Sequence, residues 1–251
     1  MEWDSGRRSR EQYQLPSRVP TANEIENILR PWRSDNLRKI AWRIWGCGNN
    51  QLILLRTHYN PEDNYKIEGL VDSDELDKDD KAWWALLDDP DLFNFGDQWW
   101  LIFDILPELA GPLQDYTRKP YPELVTGDRQ HFKDELPKLK ETDAWRADRN
   151  KCLELETSDI RRTVSKGYFA IADEEAFKTD RLRLIYLDGK RNIVQEGRVD
   201  FNEQTFADVA VEWDQLALSV DLWDEGMVGE KYRIDGELGR ELYQLSEADL
   251  E

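Results

Sequence analysis

The sequence predicts a mixed α+β fold in which short strands, including a C-terminal β-hairpin, pack against helices. Residues 181–188 alternate apolar and polar side chains, Asp188-Gly189 provides a turn, and residues 192–199 form a second run that can pair with the first. After Asn202, a typical helix-capping residue, apolar side chains return at helical spacing through Trp213. A strand with period two followed by an amphipathic helix is typical of this class.

The N-terminal elements are indicated by caps and apolar spacing. Residues 1–20 have almost no apolar pattern and are expected to form a mobile tail. Thr21 begins a short helix with a capping box, and Ser34 caps a second helix that ends at Gly46. Leu52-Ile53-Leu54-Leu55 is a short apolar run, as in a buried strand.

The middle of the chain gives weaker signals. Residues 60–80 are polar and acidic, which favours a loop, whereas Lys81 to Leu87 predicts a short helix. Trp99 to Leu106 is apolar throughout, and Gly96-Asp97 before it favours a capped helix over a strand. Residues 107–150 contain five prolines and no sustained pattern, so the likeliest division between two halves lies there.

The C-terminal part is clearer. Residues 168–172 predict a buried strand, residues 232–234 a last short strand, and residues 238–245 a final helix. The expected organisation is a tail, a helical or mixed N-terminal half, a proline-containing connection and an α+β C-terminal half, the alternative being one continuous domain over 21–251. The corresponding ranges are 1–20, 21–110, 111–150 and 151–251.

Charge and cysteine usage exclude several classes of protein. Acidic residues outnumber basic ones 53 to 34, giving a net charge of −19. Nucleic acid is not expected as a partner, because phosphate binding depends on Lys and Arg. No apolar run is long enough to span a membrane, and the first residues lack the apolar segment of a secretory signal. Two cysteines, Cys47 and Cys152, suit a reducing compartment, so we expect a cytoplasmic protein.

No metal or cofactor is expected from the motifs. His58 and His131 are far apart in sequence and neither has a second ligand at helical spacing, and there is no CxxC pair. The acidic stretch 72–80 does not match a calcium-binding loop, since its sixth position is Asp77 rather than Gly. Glycine-rich phosphate-binding loops and a nucleophile elbow are also absent from the sequence.

Three residues are the candidates for acid–base catalysis. Asp173 and Glu174 follow the strand at 168–172, and residues at the carboxyl ends of strands often line crevices in open sheets. The favoured interpretation of Asp173 is nevertheless a helix cap, with Glu174 in the first helical turn. His58 follows the strand at 52–55, where a titratable ring beside Arg56 suits a pocket; a loop hydrogen bond is the commoner role.

Aromatic and basic side chains give the candidates for binding. Trp83-Trp84 and Trp99-Trp100 are adjacent pairs, so one ring of each is expected in the core, which leaves Trp84 or Trp100 for a partner, a sugar or a small molecule. The second helix carries a basic face with one indole, formed by Arg38, Lys39, Trp42 and Arg43. This face is predicted to pair with the acidic stretch 72–80 in the same chain; an outside acidic partner is the alternative.

Two patches of the sequence resemble a domain-of-unknown-function family of uncharacterised proteins. The first is Leu54-Leu55-Arg56-Thr57-His58-Tyr59 followed by Lys81-Ala82-Trp83, and the second is Ala172-Asp173 followed by residues 182–188. The resemblance implies no activity and no site residue. We therefore expect a non-enzymatic protein-interaction module; the alternatives are an enzyme that uses dispersed carboxylates and a histidine, or a small-molecule or sugar binder that uses tryptophan.

Overall fold

A mixed six-stranded sheet forms the centre of the part of the chain that the computed structural model describes, namely residues 34–46, 52–71, 84–106, 109, 121–214, 223 and 226–246. In chain order the strands are β1 (Leu52–Arg56), β2 (Trp84–Leu87), β3 (Gly167–Ala172), β4 (Arg181–Leu187), β5 (Ile193–Asp200) and β6 (Met227–Val228). They lie in the order β2-β1-β3-β4-β5-β6. The first three are mutually parallel and the last three pair antiparallel, so the sheet is mixed.

Helices cover both faces of this sheet. The described α-helices are α1 (Asp35–Gly46), α2 (Asn64–Val71), α3 (Pro90–Phe93), α4 (Ile102–Ile105), α5 (Tyr121–Lys140), α6 (Asp143–Ala147), α7 (Arg149–Glu156), α8 (Ser158–Val164), α9 (Glu174–Thr179), α10 (Glu203–Asp214) and α11 (Glu237–Tyr243). The α+β class predicted from the sequence is therefore confirmed.

Alternation along the strands divides the core into two faces and an end. Leu54 and Ala170 face α2, α9 and α10, whereas Leu55 and Ile171 face α1, α3 and α4. Because successive strand residues point to opposite faces, a run of apolar residues in β1 and β3 buries both sides of the sheet. A third apolar cluster contains residues of the consecutive helices α5, α6, α7 and α8 and of α11. It packs against the β5–β6 end of the sheet, where Val194 contributes.

The predicted hairpin is confirmed, with a longer loop than the two-residue turn. β4 pairs antiparallel with β5, and Asp188 to Asn192 connect them. The Asp188 carboxylate holds this loop, because it accepts hydrogen bonds from the backbone N–H groups of Lys190 and Asn192, each at 2.8 Å. The Asn192 amide and the Tyr232 hydroxyl donate to the same carboxylate at 2.8 and 2.7 Å.

Several other predicted elements are also confirmed. Ser34 accepts from the backbone N–H of Leu37 at 3.3 Å at the start of α1, and Asn202 caps α10 through the N–H of Thr205 at 2.9 Å. The apolar residues 99–106 form a 3-10 turn and α4, in agreement with the helical interpretation. Gly96-Asp97 does not cap it, because Gln98 occupies the capping position.

Four predictions about secondary structure were wrong, and tertiary packing explains each. Residues 61–71 are not a loop: a 3-10 turn capped by Asn60 leads into α2, whose Ile67 and Leu70 are buried. Residues 84–87 are not helical, because they pair in parallel with β1 as β2. The last strand is β6, which pairs with β5, whereas Tyr232 of the predicted strand 232–234 is buried at the end of a 3-10 turn.

The fourth wrong prediction is the proline-containing connection over residues 111–150. Residues 121–140 form α5, the longest described helix, despite Pro137 within it. Its buried stripe of Val125, Phe132 and Leu136 packs into the third apolar cluster, and Thr163 of α8 donates a hydrogen bond to Asp128. Packing of an apolar face thus outweighs the one backbone hydrogen bond that the proline removes.

Strands from both predicted halves lie side by side, because β1 pairs with β3. The predicted tail over 1–20, the helix at 25–29, the acidic stretch 72–80 and Cys47 lie outside the described residues.

Candidate functional site

The carboxyl ends of the three parallel strands bring the predicted catalytic residues to one edge of the sheet. Arg56 lies in register with Ala172, and Leu55 lies in register with Leu87. Residues that follow these strands therefore meet at this edge, where open α/β sheets commonly bind ligands. We call the side chains gathered there the carboxyl-end cluster; it consists of Arg56, Thr57, His58, Tyr59, Asp88 and Glu174.

Arg56 organises the cluster from inside. Its side chain is nearly fully buried, and its guanidinium lies between the rings of Tyr59 and Phe177, at 4.6 and 5.3 Å from their centroids. Nε donates to the carbonyl of His58 at 2.9 Å, and Nη2 donates to the Asn64 side chain at 2.8 Å. These contacts hold residues 57–64 in place, so the guanidinium acts on the loop rather than on a ligand.

The charge of Arg56 is only loosely compensated. Its nearest described carboxylate oxygen belongs to Asp88, 3.6 Å from Nη1, which is beyond hydrogen-bonding distance. Contacts with two aromatic rings add to the attraction of this long ion pair. A buried positive charge is thus built into this edge of the sheet.

Tyr59 joins the loop after β1 to the loop after β2. Its hydroxyl donates to the carbonyl of Arg56 at 3.2 Å and accepts from the backbone N–H of Asp89 at 2.9 Å. Burial, helped by the neighbouring Asp88 carboxylate, raises the pKa of the Tyr59 phenol well above its ordinary value. The neutral phenol is the form that this site accommodates.

Thr57 continues the strand hydrogen bonding past the end of β1. Its backbone N–H donates to the carbonyl of Ala172 at 3.1 Å, and its carbonyl accepts from Gly96 at 3.0 Å. Gly96 has a φ of +56°, a left-handed conformation that glycine adopts without strain. The Thr57 hydroxyl is fully buried and has no hydrogen-bond partner among the described residues.

His58 and Glu174 follow neighbouring parallel strands, β1 and β3, and therefore lie at the same edge of the sheet. The imidazole of His58 is half-buried, 6.0 Å from the ring of Phe177. A hydrogen bond from Lys178 holds the pKa of Glu174 below its ordinary value, and nearby His58 acts in the same direction. Glu174 forms an ion pair with Lys178 of its own helix at 2.7 Å. This i,i+4 pair is exposed to solvent.

Asp173 serves as a structural residue. One oxygen caps α9 by accepting from the backbone N–H of Ala176 at 2.8 Å, which confirms the predicted cap. The two oxygens also receive the Arg198 guanidinium, at 2.7 and 2.8 Å. Three donors thus engage this carboxylate in contacts that join α9 to β5.

The tryptophan prediction holds for the pair whose side chains are both described. Trp99 is 5% exposed and Trp100 is 52% exposed. The two rings meet edge to face at 6.2 Å, and Trp99 in turn contacts Phe103, which contacts Phe169 of β3. Trp84 lies in β2, but its side chain is outside the described part of the chain, and so is Trp83.

The predicted basic face is described only in part. Arg38 pairs with Asp35 one turn earlier in α1, and Lys39 is exposed. Trp42 and Arg43 belong to α1, and their side chains lie outside what the structure describes. Because residues 72–80 also lie outside the described residues, their pairing with Arg38, Lys39 and Arg43 stays a prediction.

Metal-binding clusters and membrane-spanning helices are both absent from the described residues. No group of three or more His, Cys, Asp or Glu side chains is arranged there to hold a metal ion. None of the helices in the described ranges has the length and apolarity needed to cross a membrane.

The sequence interpretation noted Arg56 only as a neighbour of His58 and did not select Thr57, although both precede His58. Their signal was the unusual Arg at the end of an otherwise apolar strand, which becomes informative only once Tyr59 and Phe177 are known to stack on it.

Comparison with known proteins adds no relative. No protein-family model matches this chain, and neither the curated proteins nor the solved structures contain a significant match.

Proposed function

We propose that this protein is a non-enzymatic interaction module that binds a basic segment of a protein partner on the Trp100 surface, which comprises Trp100, Asp97 and Asp104. The observation that carries the proposal is the half-exposed indole of Trp100 beside the buried indole of Trp99. Tryptophan is enriched among the residues that dominate binding energy at interfaces.

The indole is presented in a fixed position. Its edge-to-face contact with Trp99 continues through Phe103 to Phe169 of the sheet, each pair of centroids about 6 Å apart, at 6.2, 6.1 and 6.0 Å. Such aromatic pairs restrict ring motion and contribute beyond the area they bury. Trp100 therefore need not be ordered when a partner binds, which lowers the entropic cost of association.

Charge around this indole favours a cationic partner. Residues 84–106 contain no Lys or Arg and five aspartates, among which Asp97 and Asp104 are exposed. The nearby guanidinium of Arg191 lies 4.8 Å from the centroid of Phe103, which shows the same cation–ring contact within the chain. A partner's Lys or Arg on the Trp100 ring, flanked by aspartates, would combine both interactions.

The proposal is tested by comparing Trp100→Ser with Tyr65→Ser as immobilised baits. Tyr65 is 65% exposed on α2 and is the matched control for loss of an exposed aromatic ring. Partners captured at physiological salt are identified, purified and titrated against each variant. We expect Trp100→Ser to weaken binding about 30-fold or more, as for a central interface residue, and Tyr65→Ser to leave it unchanged.

The partner's contacting segment is expected to be basic, and its affinity should fall as salt rises. A partner set that is unchanged by Trp100→Ser, or the absence of any partner, contradicts the proposal.

An enzyme or small-molecule binder at the carboxyl-end cluster is the second candidate. It is favoured by the position of His58 and Glu174 at the same edge of the sheet and by the buried hydroxyl of Thr57, which has no hydrogen-bond partner among the described residues. A screen of metabolites for an increase in melting temperature tests it, with His58→Gln as the variant that should abolish the increase. A sugar stacked on Trp100 would instead lose its stabilising effect with Trp100→Ser.

A further inference from the structure

A cleft of about 620 Å³ opens where α5, α11 and the β4–β5 loop meet, at the amino end of β3. We propose that this cation-lined cleft binds a small organic anion with an apolar body, such as a medium-chain carboxylate. Its volume falls within the range of roughly 300–1,000 Å³ of small-molecule sites. Trp100 does not line it, so the inference is independent of the proposed function.

The inner wall of the cleft is apolar and already formed. Val125 of α5, Val164 of α8 and Leu242 of α11 line it, and all three are buried members of the third apolar cluster. Side chains packed in a cluster keep their positions when a ligand enters. This wall suits a hydrocarbon body rather than a bare inorganic ion.

Cations from three separate elements line the same cleft: Arg129 of α5, Lys166 before β3 and Lys190 in the hairpin loop. The one hydrogen bond of Arg129 to a described residue runs from Nε to the carbonyl of Leu242, at 2.7 Å. That bond fixes the guanidinium against α11, and within the described part of the chain its terminal NH₂ groups can donate to an oxyanion.

The two lysines are fixed by their backbones. The N–H of Lys166 donates to the carbonyl of Leu187 at 2.7 Å, and its Nζ donates to the carbonyl of Thr163 at 3.4 Å. The N–H of Lys190 donates to Asp188 at 2.8 Å, while its side chain is exposed. The backbone before β3 and the hairpin loop therefore bring these two charges to the cleft.

Two acidic residues, Asp188 and Glu241, also line the cleft. Four donors already occupy the Asp188 carboxylate: two backbone N–H groups, the Asn192 amide and the Tyr232 hydroxyl. Glu241 is exposed on α11. Among the described residues that line the cleft, three cations against two carboxylates give a positive excess in a chain of net charge −19. A small anion is therefore attracted here, whereas a polyanion is repelled by the net negative charge of the chain.

The test uses calorimetric titration of the full chain with octanoate. The comparison ligands are acetate, which has the charge without the body, and 1-octanol, which has the body without the charge. We expect saturable one-to-one binding of octanoate and at least tenfold weaker binding of both comparison ligands. Equal affinity for octanoate and 1-octanol, or no saturable binding of octanoate, overturns the proposal.

Variants locate the site. Lys190→Gln removes an exposed cation and should weaken octanoate about fivefold, and Arg129→Gln should weaken it about tenfold. Lys133→Gln is the matched control, because Lys133 is exposed on the same helix one turn beyond Arg129 and does not line the cleft. Since Arg129→Gln also removes the hydrogen bond to Leu242, the melting temperature of each variant is measured alongside. Equal octanoate affinity of Lys190→Gln and Lys133→Gln overturns the assignment.

Discussion

Arg161 is the largest side chain among those that are fully buried, at 2% exposure, and its hydrogen-bond acceptors are neutral. Nε donates to the Gln195 side chain at 3.0 Å, and Nη1 donates to the Thr157 hydroxyl at 2.7 Å. Nη1 also lies 3.4 Å from the Tyr243 hydroxyl, and Nη2 donates to the carbonyl of Glu154. A single guanidinium thereby connects α7, α8, α11 and β5.

We expect Arg161→Met to lower the free energy of unfolding by about 3 kcal/mol, because it leaves several buried acceptors unpaired at roughly 1–3 kcal/mol each. Arg161→Lys should recover little of the stability that Arg161→Met loses, because one ammonium group cannot reach acceptors on separate elements. The matched control is Arg162→Met, whose side chain is 33% exposed and pairs with Asp159 at 3.1 Å. Urea unfolding measures the difference; equal losses for the two methionine variants would contradict this role.

Two tyrosines make stability sensitive to high pH. Burial raises the pKa of Tyr243, against the lowering effect of Arg161, and burial also raises the pKa of Tyr59. The folded protein therefore holds both phenols neutral, and unfolding releases a group with a pKa near 10. Stability from this source is complete below about pH 10 and is lost as pH rises above it.

We expect the urea midpoint to fall more steeply between pH 9 and pH 11 for the natural sequence than for Tyr59→Phe or Tyr243→Phe. Each phenylalanine also removes a hydrogen bond, which lowers the midpoint at every pH, so the slope rather than the level is diagnostic. Tyr65→Phe is the control, because Tyr65 is exposed. The same slope in all three variants would show that these phenols do not control alkaline unfolding.

At the scale of elements, Asp173 determines how β3 leads into α9. It caps the helix and pairs with Arg198 of β5 through both oxygens, with side-chain exposures of 13% and 28%. Asn is as good a cap as Asp but carries no charge. We expect Asp173→Ala to cost about 2–3 kcal/mol and Asp173→Asn about half as much, because Asn keeps the cap and loses only the ion pair.

Chemical denaturation of both Asp173 variants and of Arg198→Met checks this. Arg198→Met in the Asp173→Asn background should add little to the cost, since the two changes remove one interaction. Fully additive losses would mean that the two side chains stabilise separate elements.

The elements that were predicted correctly carry local signals, and those that were missed depend on distant contacts. Asn202 with its apolar stripe, and the alternation in 181–187, identify α10 and β4 from neighbours in sequence. By contrast, residues 84–87 are a strand only because β1 lies beside them, and α5 tolerates Pro137 because α8 covers its apolar face. Propensity cannot reveal such packing in advance.

The candidate binding residues also divide into those that local sequence signals identify and those that only distant contacts bring together. His58 and Glu174 were chosen because they follow strands, and the parallel pairing of β1 with β3 does bring them to one edge. Arg129, Lys166 and Lys190 were not chosen, because they belong to a helix, a strand entry and a loop that meet only in the folded chain. No spacing rule in the sequence connects them.

At the scale of the whole molecule, the two candidate binding regions on the sheet lie at opposite ends of β3. Lys166 precedes this strand and lines the cleft, whereas Asp173 follows it beside the carboxyl-end cluster. Six residues at about 3.3 Å each separate the two ends by roughly 20 Å. Ligands at the two ends would not touch, and each can be tested in the presence of the other.

Net charge is the remaining property of the whole chain. A charge of −19 repels itself most strongly in the compact state. Most described ion pairs have at least one solvent-exposed partner, and exposed pairs contribute only about 0–1 kcal/mol each. Salt weakens both the self-repulsion and the ion pairs. We expect self-repulsion to be the larger effect and therefore to determine whether added salt raises or lowers the stability. The urea midpoint should therefore rise between 10 mM and 300 mM NaCl, over which the screening length shortens from about 30 Å to below 8 Å.

A variant that combines Asp91→Asn, Asp97→Asn and Asp104→Asn separates this cause from a general salt effect. The three carboxylates are exposed, and residues 84–106 supply no cation to pair with them. Removing them should raise the midpoint at 10 mM NaCl and reduce the gain on adding salt. A midpoint that falls with salt, or a gain that is the same in the variant, would mean that ion pairs rather than self-repulsion determine the response.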